Sequence, residues 1–296
     1  MIKKPMKGEQ IEPADFHRIK FPIYASRKID GFRCILGEEP LSSRLAPFRN
    51  PFVQCQLSGL LKDELLDGEI VVGSRKGKGV LQRTSSGVTN TAGYPDFTFW
   101  AFDAPQADQT FFERSLMTQR IVKRLGHPRI RYLRQRIIHD VDELQAYIDE
   151  SLLLGYEGIV LKDPDGHYKE GKSSIRQGLQ MKIKPFVDAE ARVIGWYEEM
   201  HNTNEQVKDL TGKSKRSSAK DGKVPKGRLG GFILEGDIRV GGGFTEKQRI
   251  ELWRIRETLR GVLVKYKKQA VGEKDKPRHT SFVDFLDFRP DWDYAA

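Results

Sequence analysis

The sequence predicts an α+β fold in two domains, and three observations carry that expectation. Through the first two-thirds of the 296 residues, apolar runs of strand length alternate with stretches patterned as helices. At Pro185 this alternation breaks, and short strand-like runs with a single helical stretch fill the remainder. Charged residues make up 31% and apolar residues 38% of the chain, the balance of a globular protein long enough for two cores. The expected domains are 1–188, built of antiparallel sheets and helices, and 189–296.

The elements follow in order. Phe21-Pro22-Ile23-Tyr24-Ala25 reads as a buried strand that ends at Lys28. Leu57–Leu65 is expected to be a short helix leading into a strand at Leu66–Val72. The Gly-, Ser-, Thr-, Lys- and Arg-rich stretch from Arg75 to Tyr94 reads as surface loop or edge structure. Aromatic-rich Phe97–Phe102 is a strand, and helices are expected at 113–125 and 141–154. Asp140 is the N-cap of the second, Glu143 completes a capping box, and Gly155 marks its end. Val141, Leu144, Ile148 and Leu152 share one face and are assigned to the core. Strands at Gly158–Lys162 and Gln180–Lys184 complete the first domain.

In the second domain, strands are expected at Ala191–Tyr197, Gly230–Leu234, Asp237–Val240 and Ser281–Phe288. Thr245 with Gln248 opens a helix of about twenty residues. Short strands and one helix predict a small barrel of OB type. Between His201 and Arg228 little is apolar, and Lys213, Lys215, Arg216, Lys220, Lys223, Lys226 and Arg228 crowd the second half. This 201–228 insertion reads as a mobile basic arm that closes on phosphate backbone, the alternative being a solubilising loop.

Net charge +10 and a pI near 9.4 favour a polyanionic partner, nucleic acid before an anionic membrane. No run approaches the roughly 18 apolar residues of a membrane span. Met1-Ile2-Lys3-Lys4-Pro5 has no apolar core behind it, so no signal peptide is expected. Cys34 and Cys55 make no disulfide framework and are expected as packing residues in a reducing cytoplasm. With no sustained heptad pattern, the expected state is a monomer.

Chemistry concentrates in four short runs. In Lys28-Ile29-Asp30-Gly31-Phe32-Arg33, a lysine at a strand end can act as a covalent nucleophile once deprotonated. Burial and the Arg33 charge are expected to lower its pKa from about 10.4. Taken alone, the hexapeptide is equally a solvated turn. Leu66-Asp67-Gly68-Glu69-Ile70 places two carboxylates on one strand face. Lys182 and Lys184 share a face in the same way, with Met181 and Ile183 turned inward. Glu157 and Lys162 bracket an apolar strand. A nucleophilic lysine, carboxylates able to hold Mg²⁺ and paired lysines for phosphate form a toolkit for nucleotidyl transfer.

Lys28-x-Asp30-Gly31-x-Arg33, Asp67-Gly68-Glu69, Phe102-Asp103, Glu157-Gly158-Ile159-Val160-Leu161-Lys162 and Lys182-Ile183-Lys184 occur in the order of the covalent nucleotidyltransferases. The chain most resembles the short ATP-dependent DNA ligases of bacteriophages, over nearly its whole length. Asp163-Pro164 and the run Arg278–Val283 add to the resemblance. It implies an adenylation domain followed by an OB-fold domain, ATP and Mg²⁺ (or Mn²⁺) as cofactors, and nicked double-stranded DNA as partner. It further implies a cytoplasmic setting, in a bacterium or phage-infected host, in DNA replication, repair or recombination. By resemblance Lys28 is the nucleophile that takes AMP, and Ile29, Arg33, Arg44, Glu69, Phe102, Lys182 and Lys184 bind the nucleotide. Arg33, Lys182 and Lys184 are also catalytic, Glu157 and Glu69 hold the metal, and Phe102 stacks on adenine. Arg44, Arg75, Lys76, Lys78, Arg83 and the arm lysines and Arg216 are assigned to DNA.

Three departures from the resemblance stand out. Ser26 occupies a position that is acidic in many relatives. Arg289-Pro290-Asp291-Trp292 has tryptophan where relatives carry a lysine that orients pyrophosphate. No extra N-terminal DNA-encircling domain precedes the first motif. An RNA ligase would usually lack the second domain, and a capping enzyme would take GTP. An NAD-dependent ligase would need zinc-type cysteine clusters. A non-catalytic basic OB-fold binder would keep all its activities without Lys28.

Overall fold

The computed structural model describes residues 4–208, 214–217, 219–269 and 276–290. The chain divides into two compact units, Met1–Pro185 and Phe186–Ala296.

In the first unit, β1 (Lys7–Gln10) precedes a 3-10 turn at Pro13–Arg18, where Asp15 accepts the Glu12 N–H. β2 (Ile23–Lys28) buries Ile23 and Ala25, and β3 (Phe32–Leu36) and β4 (Pro40–Ser42) pair antiparallel. α1 (Pro51–Leu57) ends where the sequence reading had the helix begin. Asn50 accepts the Phe52 and Val53 N–H groups ahead of Pro51 at the first helical position, a start signal that outweighs the apolar spacing further on. β5 (Leu66–Val72) follows as expected.

α2 (Val80–Thr89) corrects the loop expected from Arg75 to Tyr94. Val80, Thr84 and Val88 recur every fourth residue and are buried, and the Thr84 hydroxyl accepts the Val72 N–H. A three-residue stripe holds this polar helix down. β6 (Phe97–Asp103) leads to α3 (Phe111–Leu125), closed by a Thr110–Glu113 capping box and by Gly126 at φ 55°. β7 (Ile130–Tyr132) and β8 (Arg136–Ile138) precede α4 (Val141–Leu153). Asp140 caps α4, but Glu143 accepts from His139 N–H rather than from Asp140. Val141 is exposed, and Tyr147 and Ser151 join Leu144 and Ile148 on the buried face instead. β9 (Gly158–Lys162), β10 (Lys172–Ser173) and β11 (Gln180–Ile183) complete the unit.

One sheet runs β10-β1-β11-β9-β2-β8 and the other β4-β3-β5-β6-β7. The sheets are mixed rather than purely antiparallel. β1 pairs in parallel with both β10 and β11, and β7 in parallel with β6. Parallel pairing needs a long crossover, and the whole unit lies between β1 and its partners. Each sheet carries its own core, with Leu144 and Ile148 of α4 on the first and Leu57 and Ile121 of α1 and α3 on the second.

The second unit starts its first strand at Phe186 rather than Ala191: β12 (Phe186–Asn202) is 17 residues long. β13 (Gln206–Lys208) and β14 (Ser214–Arg216) form a two-stranded ribbon, and β15 (Lys223–Leu234) returns along β12. The 201–228 insertion is therefore largely β-structure among its described residues, because its polar residues alternate along paired backbone. β16 (Ile238–Val240) and α5 (Glu246–Arg254) follow. α5 has the expected capping box but only 9 residues. A 3-10 turn at Arg256–Leu259 and the unforeseen β17 (Leu263–Gln269) take the rest, because Val264 and Tyr266 are buried at a period of two. β18 (Ser281–Phe285) ends three residues early. The sheet order is β16-β15-β12-β17-β18. No closed barrel is found among the described residues; one bridge joins Gly242, just past β16, to Ser281 at the start of β18.

Candidate active site

Lys28 is the last residue of β2 and lies opposite Gly158 at the start of β9. Two glycines make this approach possible. A Cβ on Gly31 would stand 2.3 Å from the Ile70 carbonyl oxygen, and one on Gly158 would stand 2.0 Å from that of Ile183. The backbone therefore delivers Lys28 Nζ to within 2.5 Å of Glu157 Oε2, while Lys184 binds Glu157 Oε1. Burial pushes the Glu157 carboxyl up, but the Lys28 and Lys184 charges overcome this and hold it at about 2. Burial likewise pushes the Lys28 ammonium down, and the carboxylates of Glu157, Glu69 and Asp30 more than reverse it. Lys28 thus sits above the usual lysine range, not below it as the sequence suggested. Arg33, ion-paired to Asp67, is not among the main groups that shift it.

A cavity of about 290 Å³ opens beside Lys28. It gathers the predicted residues Lys28, Ile29, Arg33, Glu69, Phe102 and Lys182. Arg33 is clamped by Asp67, with Nε–Oδ1 2.8 Å and Nη2–Oδ2 2.5 Å, and lies 5.5 Å from the Phe102 ring centroid. Burial raises the Glu69 carboxyl to about 7 despite the Lys28 and Arg33 charges. Burial and the Lys28 charge keep Lys182 and Lys184 below the usual lysine range. Arg44 is exposed, outside the cavity lining; its neighbour Ser43 lines it instead.

The sequence reading left several cavity residues unassigned to the site: Lys7, Ser26, Lys162 and Gln180. Lys162 is 3% exposed and donates to Asp103 Oδ2 at 2.7 Å, while Arg114 Nε donates to Asp103 Oδ1 at 2.8 Å. Burial pushes Asp103 up, yet Lys162 and Arg114 hold it low. Lys162 also lies 5.0 Å from the Phe102 ring centroid. Its place at the end of an apolar strand was the available signal; Arg114, inside an amphipathic helix, offered none.

Among the described residues no group of three His, Cys, Asp or Glu side chains converges, and both Glu157 oxygens are taken by lysines.

The residues assigned to DNA fall into distinct settings. Lys76 and Lys78 are exposed, while Arg75 lies 4.0 Å over the Trp100 ring. Arg83 donates to the Ser74 and Lys78 carbonyl oxygens and staples the loop between them. Arg216 on β14 donates to the Asn204 carbonyl, and Lys226 on β15 binds Glu199 on β12 at 2.7 Å. Lys220 is exposed and Lys223 half-buried. Lys213, Asp291 and Trp292 and the Lys215 side chain lie outside the described residues.

Comparison with known proteins gives the family. The profile of the ATP-dependent DNA ligase domain matches residues 1–184. A solved structure of a Chlorella virus DNA ligase-adenylate is 27% identical, with a TM-score of 0.55, and covers 98% of this chain and 100% of its own. A Lig E DNA ligase, 23% identical, shares the fold at a TM-score of 0.72, covering 97% of this chain and 100% of its own. The bacteriophage T7 ATP-dependent DNA ligase, solved with ATP, is 18% identical at a TM-score of 0.51, over 96% of this chain and 99% of its own. A search of curated protein sequences gave no match. With five motifs gathered on one cavity and the domain profile spanning the whole first unit but its last residue, the chain belongs to the ATP-dependent DNA ligase family.

Proposed function

We propose that the protein seals 5′-phosphate/3′-hydroxyl nicks in duplex DNA as a monomer, through a lysyl-AMP and a DNA-adenylate. The observation that carries this reading is Lys28 on the wall of a nucleotide-sized cavity, ion-paired to a carboxylate that a second lysine also holds.

ATP lies with its adenine on Phe102 and its ribose hydroxyl on Glu69. Lys28 Nζ leaves Glu157, sheds a proton and attacks the α-phosphorus; a P–N bond forms, and the bond to the β-phosphate oxygen breaks. Lys184 keeps Glu157 neutralised when Lys28 departs. Lys182 and Arg33 face the charge that builds on the α-phosphate. AMP then passes to the 5′-phosphate of the nick, and the 3′-hydroxyl displaces it. The second unit, with its basic ribbon, acts as the OB-type part of the DNA grip.

Intact-mass spectrometry after incubation with Mg²⁺ and ATP, GTP or NAD separately tests the reading. The expected result is an AMP adduct from ATP, absent in Lys28→Ala and lost on nicked duplex as sealed strand appears. A GMP adduct, or no adduct in protein free of bound AMP, would sink it.

A further inference from the structure

We infer that Gln180 reads the base of the bound nucleotide, its carboxamide bonding the adenine amino group and an adjacent ring nitrogen. The inference rests on the cavity being the ATP site and names the group that selects the base there.

Gln180 lies on β11, 7% exposed, in the cavity lining. Its backbone N–H donates to the Ser173 hydroxyl at 3.4 Å, but among the described residues its carboxamide has no hydrogen-bond partner. A carboxamide carries both donors and an acceptor, and leaving them unmet in a buried site costs free energy. The charged groups around Phe102 are committed already. Lys162 and Arg114 share Asp103, and Arg33 is clamped by Asp67.

Strand register places the carboxamide. Gln180 stands opposite Lys162 in the β11–β9 ladder, and Lys162 stands opposite Tyr24 on β2. Residues paired across a ladder share a face, so Gln180 lies on the face of Lys162, with Lys182 following at the period of two. Met181 and Ile183 turn the other way, into the core. Lys28 pairs with Gly158, four residues along β9 from Lys162, a separation of about 13 Å. The Lys28 row is the phosphate end of the cavity. The Lys162 row is the base end, because Lys162 Nζ lies 5.0 Å from the Phe102 ring centroid. A nucleotide with its α-phosphate at Lys28 and its base on Phe102 brings the edge of that base to the Lys162–Gln180 pair. Lys162 is held by Asp103, so the carboxamide is the group left to meet it. Ser26, also in the lining, pairs with Val160, two residues nearer the phosphate end, and offers a single hydroxyl.

The chemistry matches. Adenine presents an amino donor beside a ring-nitrogen acceptor, and one glutamine carboxamide satisfies both at once. A base without the amino group leaves the carboxamide oxygen unpaired in a buried site, and that penalty is the source of selectivity.

The test compares ATP with purine riboside triphosphate, which lacks the amino group. In wild type, kcat/KM for adduct formation should favour ATP by about tenfold or more. In Gln180→Leu the ATP value should fall to that of the analogue, so that the ratio approaches one, while the analogue's own value changes little. Gln180→Met, unbranched and of similar length, should behave in the same way. The ratio is internal to each protein, so a smaller folded fraction does not move it. A wild-type ratio retained in both variants overturns the inference while leaving the ligase reading intact, as does a wild type that takes both nucleotides equally. No adduct from ATP in wild type overturns the underlying reading itself.

Discussion

Lys28 Nζ and Glu157 Oε2 meet at 2.5 Å where β2 meets β9, so the amine proposed as nucleophile is held as an ammonium ion on a carboxylate. The pair holds Lys28 charged, and this is open to a pH test.

The carboxylate raises the Lys28 pKa, so its removal must lower it. In Glu157→Gln, the rising limb of single-turnover adenylylation against pH should therefore move to lower pH, whatever happens to the plateau. A limb that stays in place would mean that Glu157 does not set the Lys28 charge.

Glu69 titrates at about 7, raised by burial. If its carboxylate accepts the ribose hydroxyl, the KM for ATP should fall as pH rises from about 6 to 8. Glu69→Gln should flatten that dependence. The same shift makes Glu69 a cost to stability: a raised carboxyl pKa favours the folded state below the ordinary value near 4.5 and loses ground as pH climbs through about 7.

Phe102 is half-buried on the cavity wall between two cations, the Arg33 guanidinium and the Lys162 ammonium. Stacking on a base contributes about 1–3 kcal/mol. Phe102→Ala should raise the KM for ATP about tenfold or more. An unchanged KM with lowered stability would return the ring to a purely packing role.

Arg114 is 1% exposed and stands with Lys162 on Asp103. Arg114→Met leaves Asp103 with half its partners in a dry interior, and about 3–5 kcal/mol of stability should be lost in urea unfolding. A loss under about 1 kcal/mol would mean that water replaces the guanidinium.

Lys220 and Lys223 carry charge just before and at the start of β15. Replacing both with Ala should raise the KM for nicked DNA and flatten its dependence on log salt by about two units, with self-adenylylation intact. An equal loss in both steps would indicate damage to the fold instead.

The catalytic strands were legible because their glycines, lysines and carboxylates sit in short runs whose order carries meaning, and β5, β6 and β9 lie where the residues placed them. α2 was hidden because its stripe is only Val80, Thr84 and Val88 amid Ser, Thr, Arg and Gly. β17 was absorbed into a helix because charged residues interleave its buried Val264 and Tyr266, a pattern that blurs into helical periodicity. The Lys28 shift was misjudged because its sign depends on Glu157 and Glu69, partners that tertiary contact supplies. Arg114 was invisible for the same reason.

The seating of β1 between β10 and β11 has a consequence for synthesis on the ribosome. Glu9 aligns with Met181, so β1 finds this partner only after nearly all of the first unit has been made. Until then the cavity wall that carries Lys182 is incomplete, and a chain stalled before residue 180 holds Lys28 without it. The contact is among the most distant in sequence that the unit makes, which places it late in folding.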